Sequence, residues 1–273
     1  MTYAGFLLRF IVTANAALWV VRLAARRSGK TGWLARCIAR SPWRMTLYFA
    51  LLAAVILLYT TPWDAALIRR GVWGYAPNRV WGLTIDGVPW EEVLFYLLET
   101  ALVAQCFDLS TVRWQARSKA QQRSEPHRAA RFACWTAFGL ASAGAILVFA
   151  TGTAHLTYFA MLAPWVLLPI AVQASYGMDG IAANQAPIVL STIASAAYLS
   201  WCDSIAIRNG IWFFRPALVT GLRVGDVPLE EIAFFVGSSL MVALSLAVLA
   251  SQRSRRWLLA APAARVEDEG VKR

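Results

Sequence analysis

Charge is what this sequence has least of. Asp, Glu, Lys and Arg make up 15% of the 273 residues, against about 25% in a typical soluble domain. Hydrophobic residues make up 59%, and the mean hydropathy is +0.52. That deficit excludes an ordinary water-soluble fold. Histidine is scarcer still: His127 and His155 are the only two, and neither stands in an HExxH-type cluster. The four cysteines, Cys37, Cys106, Cys134 and Cys202, lie far apart without CxxC spacing and read as small core residues. No metal ligand set is legible. A GxGxxG run is missing, which leaves no dinucleotide fingerprint. So is an aspartate-rich diphosphate motif, which argues against prenyl transfer.

What is there comes in apolar blocks of about twenty residues, the length that a hydrocarbon layer of ~30 Å requires. The pattern predicts an all-α polytopic membrane protein with seven spans, near 6–21, 43–61, 89–107, 131–150, 156–174, 186–202 and 228–250. Ala14-Asn15-Ala16 resembles a signal-peptide cleavage site, but the positive cluster follows the first apolar run instead of preceding it. The first span is therefore expected to be retained. Lysine and arginine concentrate in the 22–44 connection, the 108–131 connection and the tail after Ala250, which together hold 19 of the 26 basic residues. These segments alternate to one side, so the positive-inside rule puts the N-terminus outside and the C-terminus in the cytoplasm of a cell-membrane protein. The net charge of +11 is then a topology signal with some attraction for lipid headgroups, and calls for no nucleic-acid partner.

A shift of 139 residues aligns Asp64–Thr100 with Asp203–Ser239 without a gap, and 14 of the 37 pairs are identical. The matches fall on Asp, Arg, Trp, Gly, Pro and Glu, the types that chance similarity between apolar helices does not supply, so duplication is the reading. The expected organisation is a three-helix repeat over 1–107, a basic loop and linking helix over 108–154, a second three-helix repeat over 155–250, and a disordered basic tail over 251–273. An odd linking span makes the repeats parallel, related by an axis along the membrane normal.

Each repeat opens its third span with a proline and two glutamates: Pro89-Trp90-Glu91-Glu92 and Pro228-Leu229-Glu230-Glu231. Proline at the first helical position and acids in the first turn cap a helix well, and that reading stays open. Carboxylates at a membrane helix end are nevertheless costly unless they find water or a partner. Glu92, Phe95 and Glu99 share one helical stripe, with Glu99 roughly 10 Å deeper in the bilayer. Desolvation and mutual repulsion let one carboxyl of a pair stay protonated beside a neighbour able to act as base, which suits proton-initiated chemistry on an apolar molecule. The copied Asp64/Asp203 and Arg69/Arg208 are candidates for pairing with each other or orienting the glutamates. Most of the 13 tryptophans fit an interfacial belt. Trp73, Trp90, Phe95, Trp212, Phe234 and Phe235 remain candidates for facing a reacting cation.

The paired V-P-[WL]-E-E-x-x-F segments resemble the hallmark of the heterodimeric-type lycopene cyclases, which also occur as fused archaeal-type proteins and as half of a fungal bifunctional enzyme. The resemblance covers all seven spans. It implies cyclisation of the linear ψ ends of lycopene to β-ionone rings without a cofactor, by protonation at C2, attack of the C5=C6 bond on the C1 cation, and loss of the C6 proton. It places acid and base among Glu91, Glu92, Glu230 and Glu231, with Asp64, Arg69, Asp203, Arg208 and Glu99 in support. The implied partners are the carotenoid, the surrounding lipid and other carotenoid enzymes. Two alternatives stay open: an ε- or γ-type cyclase of another carotenoid, and a 3+1+3 proton-coupled carrier.

Overall fold

A computed structural model describes residues 1–114 and 127–259. Seven helices are long and apolar enough to cross a membrane, as the apolar blocks predict. In chain order the helices are α1 (Tyr3–Arg27), the short α2 (Trp33–Arg40) and α3 (Pro42–Arg70). Then follow α4 (Trp90–Trp114), α5 (Arg128–Thr151), α6 (Thr157–Ala183), α7 (Gln185–Arg208), α8 (Leu229–Leu249) and the short α9 (Gln252–Leu259). Most spanning helices outrun their apolar blocks. α3 runs on to Arg70, because helical hydrogen bonding continues through the polar turns that leave the hydrocarbon.

Between α3 and α4 lie three short strands, β1 (Trp73–Tyr75), β2 (Thr84–Ile85) and β3 (Val88–Pro89). The same succession recurs between α7 and α8 as β4 (Trp212–Phe214), β5 (Arg223–Val224) and β6 (Val227–Pro228). β2–β3 and β5–β6 are two-residue hairpins. Their turns need positive φ, supplied by Asp86 and Gly87 (53° and 87°) in one and Gly225 (62°) in the other. β1 pairs antiparallel with β4 in the register Trp73↔Phe214, Gly74↔Phe213, Tyr75↔Trp212. Under the repeat alignment Gly74 and Phe213 are equivalent positions, so each strand pairs with its own counterpart, the isologous contact that a local two-fold produces. Deeper in the bundle Ser238 Oγ donates to Glu99 Oε1 at 2.5 Å, and these too are equivalent positions.

α4 and α8 are the most enclosed of the spans, and α5 is the least, packed mainly on α6. One apolar cluster surrounds the strand-bearing end of the bundle, and a second fills the opposite half around Met45, Phe107 and Leu246. On that opposite side Asp108 accepts the amides of Leu34 and Ala35 at the start of α2, and pairs with Arg22 at 2.7 Å. The tail expected to be disordered from 251 is helical over Gln252–Leu259. Arg44 holds it, donating to the Trp257 carbonyl at 2.5 Å with its guanidinium 5.9 Å from the Trp257 ring centre. The remainder of that tail and half of the basic 108–131 connection lie outside the described residues.

Candidate active site

The two glutamates of each pair take different directions, because adjacent helical residues diverge by about 100°. Glu91 is fully buried and turns back onto the preceding loop, where its Oε1 accepts the Trp81 amide at 2.6 Å. Glu230 does the same with the Thr220 amide, also at 2.6 Å. Trp81 and Thr220 are equivalent positions, so this loop tie is duplicated. Neither Glu91 nor Glu230 lines the interior cavity.

Glu92 and Glu231 do. Glu92 Oε2 accepts the Tyr3 hydroxyl at 2.5 Å and the Tyr75 hydroxyl at 2.8 Å. Glu231 Oε1 accepts the Tyr158 hydroxyl. Tyr3 opens α1 and Tyr158 opens α6, so each second glutamate is held by a tyrosine from the first helix of its own repeat. Tyr75 lies on β1, outside the spans. Burial, with Glu92 beside it, pushes its hydroxyl well above the usual tyrosine range, so it remains a donor.

Asp64 and Asp203 meet the glutamates in the same narrow cavity, of about 40 Å³. Asp64 Oδ2 accepts the Tyr96 hydroxyl at 2.6 Å, and Asp203 Oδ1 accepts the Trp212 indole N–H at 2.8 Å. No lysine, arginine or histidine is among the lining residues. Four carboxyl groups cannot all be charged in such a space, since unpaired buried charge is prohibitive, so the cluster retains protons. Aromatic rings form the rest of the wall. Trp73, Phe95, Trp212, Phe234 and Phe235 all line it. Trp63 stacks on Phe234 at 5.8 Å and on Trp165 at 4.2 Å.

Three expectations need correction. Arg69 and Arg208 do not support the carboxyl groups. Arg69 pairs with Asp86, and Arg208 with Asp226 at 3.1 Å, both on the exposed hairpins. Five residues along a helix separate side chains by roughly 140°, so an Asp64 facing inward sends Arg69 outward. Trp90 is 43% exposed and lies outside the cavity lining. Asp64 and Asp203, expected behind the glutamates, stand in the cavity wall itself. Glu99 lies beyond the cavity, buried against Ser238.

Sequence reading missed the tyrosines. Tyr75 and Tyr96 align with Phe214 and Phe235, so a search for identities passes over them. Tyr3 and Tyr158 play equivalent parts but are not related by the 139-residue shift, because the first repeat inserts α2 between its first two spans. A gapped alignment keyed on tyrosine at the head of each unit's first helix would have found them.

Four carboxyl groups thus meet inside aromatic walls, in a bundle of helices long and apolar enough to cross a membrane. The family model described as Lycopene cyclase matches residues 6–108 and 131–249, and the chain belongs to that family. A lycopene beta-cyclase of Halobacterium salinarum is 29% identical over 210 residues, covering 77% of this chain and 82% of that protein. The bifunctional lycopene cyclase/phytoene synthase of Sporisorium reilianum is 30% identical over 205 residues, covering 70% of this chain. That of Aspergillus niger is 27% identical over 197 residues, covering 72%. The matched regions make up 29% and 34% of those two fungal proteins, so the chain spans about a third of their length. No solved structure matches the chain.

Proposed function

We propose that the chain is a lycopene β-cyclase, an isomerase that closes the linear ψ ends of lycopene into β-ionone rings in carotenoid biosynthesis. One observation carries the reading: Glu92 and Glu231, one from each repeat, converge with Asp64 and Asp203 inside a single aromatic cavity. A protonated carboxyl of this cluster adds its proton to C2 of the terminal double bond, leaving a tertiary cation at C1. The C5=C6 bond attacks C1 through C6, closing the ring and moving the charge to C5. A carboxylate of the cluster removes the C6 proton, which places the double bond at C5=C6. One proton enters and one leaves, so the product is an isomer. The ring faces of Trp63, Trp73 and Phe234 offer negative potential to the travelling cation.

In this reading Glu91 and Glu230 are positioning residues that tie the loop above the cavity. The two three-helix units are 1–107 and 155–250, joined by 108–154 and related by an axis along the membrane normal. The Gly74–Phe213 pairing and the deeper Glu99–Ser238 hydrogen bond support that axis, since both join equivalent positions at different depths. The basic side of the bundle faces the cytoplasm, and a reporter fused to the C-terminus is expected to be active only there. Neither the ε- or γ-type alternative nor the carrier finds support among the relatives.

Expression in a lycopene-accumulating bacterial host tests the function. Chromatography is expected to show γ-carotene and β-carotene. Membranes assayed in D₂O are expected to add one deuterium per ring, because the proton delivered to C2 comes from an exchangeable carboxyl. Unchanged lycopene beside well-inserted protein would overturn the reading.

A further inference from the structure

The cavity holding the carboxyl groups does not end at its own walls. Thr60, Tyr96 and Phe234 line it and also line a second, larger space of about 310 Å³ between α3, α4, α6 and α8. That space is a furrow walled by Leu52, Val55 and Ile56 of α3, Leu168 and Val172 of α6, and Val242 of α8. Polar groups are few in its walls: Glu99 accepts from Ser238, and Gln173 Nε2 donates to the Met241 carbonyl at 3.0 Å, leaving its Oε1 without a partner. An apolar occupant is what the walls can receive.

The attachment of α3 explains why the furrow exists. Near the carboxyl cavity, Tyr59 donates to the Trp165 carbonyl at 2.8 Å and Trp63 to the Met161 carbonyl at 3.1 Å. Nearer the basic side, the Tyr48 and Ser245 hydroxyls meet at 2.8 Å. Between these two clamps α3 presents only alanine, leucine, valine, isoleucine and phenylalanine, so nothing polar draws it onto the bundle. Val55 is 61% exposed and Val172 51%, so the furrow opens sideways between α3 and α6, toward lipid. Leu52 and Thr100 are shared with a third space, which continues along α1, α2 and α4 toward the basic side. From Asp64 to Phe49 this path follows α3 for about 22 Å at 1.5 Å per residue, most of a ~30 Å hydrocarbon layer.

We propose that the furrow is the berth of the substrate's conjugated chain. The acyclic end group sits among the carboxyls, and the polyene lies beneath α3. The molecule enters sideways from the bilayer between α3 and α6. This inference rests on the cyclase reading. Continuity with the carboxyl cavity singles out this occupant over a lipid acyl chain, because only the polyene has an end group on which the carboxyls can act. The throat fits it too: Tyr59–Trp165, Trp63–Trp165 and Trp63–Phe234 stack with their planes within 16° of parallel, a continuous aromatic wall against which a conjugated rod can lie. One rod occupies the path at a time, so its two ends react in separate visits and the monocyclic product passes back through the bilayer between them.

Val242→Phe and Leu168→Phe narrow the furrow without touching a carboxyl group. Each is expected to lower lycopene conversion at least tenfold at equal membrane insertion. In a Glu92→Gln background, where bound substrate is retained, each is expected to reduce co-purifying lycopene at least fivefold. Wild-type conversion and pigment load in both variants would overturn the berth. Should either variant fail to insert, Val172→Cys answers the same question after folding, with the unsubstituted protein treated alongside. A bulky maleimide there is expected to stop conversion, and bound lycopene to slow the labelling. Full conversion by the labelled protein overturns the proposal, as does a phospholipid in place of pigment. The two readings fail separately: a Glu92→Gln protein that still cyclises removes the proposed function, whereas dead carboxyl variants with normal furrow variants remove only the berth.

Discussion

Replacing Glu91 by glutamine separates the two jobs a carboxyl can do in this protein. The Glu91 side chain is fully buried, accepts the Trp81 amide at 2.6 Å and faces the loop rather than the cavity. Glutamine keeps a carbonyl oxygen at that acceptor position, cannot carry a carboxyl's charge or acidic proton, and puts an NH2 group where Glu91 Oε2 lies buried without a partner. A hydrogen bond to a charged group contributes about 1.5–3 kcal/mol and one between neutral groups about 0.5–1.5 kcal/mol. The tie is therefore expected to weaken by roughly 1 kcal/mol, small against a total stability of about 5–15 kcal/mol. Leucine removes the acceptor and frees the loop, a loss of about 1–3 kcal/mol at a position the cavity depends on. Glu91→Gln, and Glu230→Gln by the same argument, should convert lycopene within about threefold of the unsubstituted protein, while Glu91→Leu lowers the amount of folded protein. Pigment chromatography normalised to protein in the membrane gives the answer. A well-inserted Glu91→Gln protein without cyclase activity would refute the reasoning, because that variant keeps the loop acceptor and lacks a group able to transfer the proton.

Other variants probe neighbouring parts of the account. Tyr75→Phe copies the second repeat's Phe214 into the first and removes one of the two hydroxyls on Glu92. At about 1.5–3 kcal/mol for a hydrogen bond to a charged group, conversion should fall roughly 10- to 100-fold with insertion unchanged. Unaltered conversion would show that Tyr75 does not hold the working geometry. Arg69→Ala and Arg208→Ala break exposed ion pairs of the kind contributing about 0–1 kcal/mol, so both should insert and cyclise normally. Loss of conversion in either would return the arginines to the site. A short time course should show monocyclic γ-carotene rising before β-carotene, and simultaneous closure of both ends would contradict entry of one end at a time.

Much of the fold was open to sequence reading because the bilayer restricts the choices so strongly. Apolar run length marked seven spans, and identities at Asp64, Trp73, Pro89 and Glu92 point to a duplication. The side chains that complete the site were hidden for two physical reasons. Direction is not written in a motif: Glu91 and Glu92 look interchangeable in sequence, yet a turn of about 100° sends one to a loop amide and the other into the cavity. The same geometry turned Arg69 away from Asp64. Partners distant in sequence are the second reason. Tyr3 reaches Glu92 across 89 residues and Tyr158 reaches Glu231 across 73, contacts that only packing creates. The asymmetry between repeats was half legible. Tyr75 against Phe214 and Tyr96 against Phe235 are differences that a search for identities skips, yet both hydroxyls donate to carboxyls of the first repeat.

The central claim is that Glu92 and Glu231 carry the proton chemistry. Its most direct test is lycopene conversion by Glu92→Gln and by Glu231→Gln in a lycopene-accumulating host, at matched amounts of membrane-inserted protein. Removing a general acid or base lowers a rate by about 10²–10⁴-fold, so each variant should leave lycopene linear while Glu91→Gln and Glu230→Gln still form rings. Undiminished ring formation by Glu92→Gln and Glu231→Gln would contradict the account.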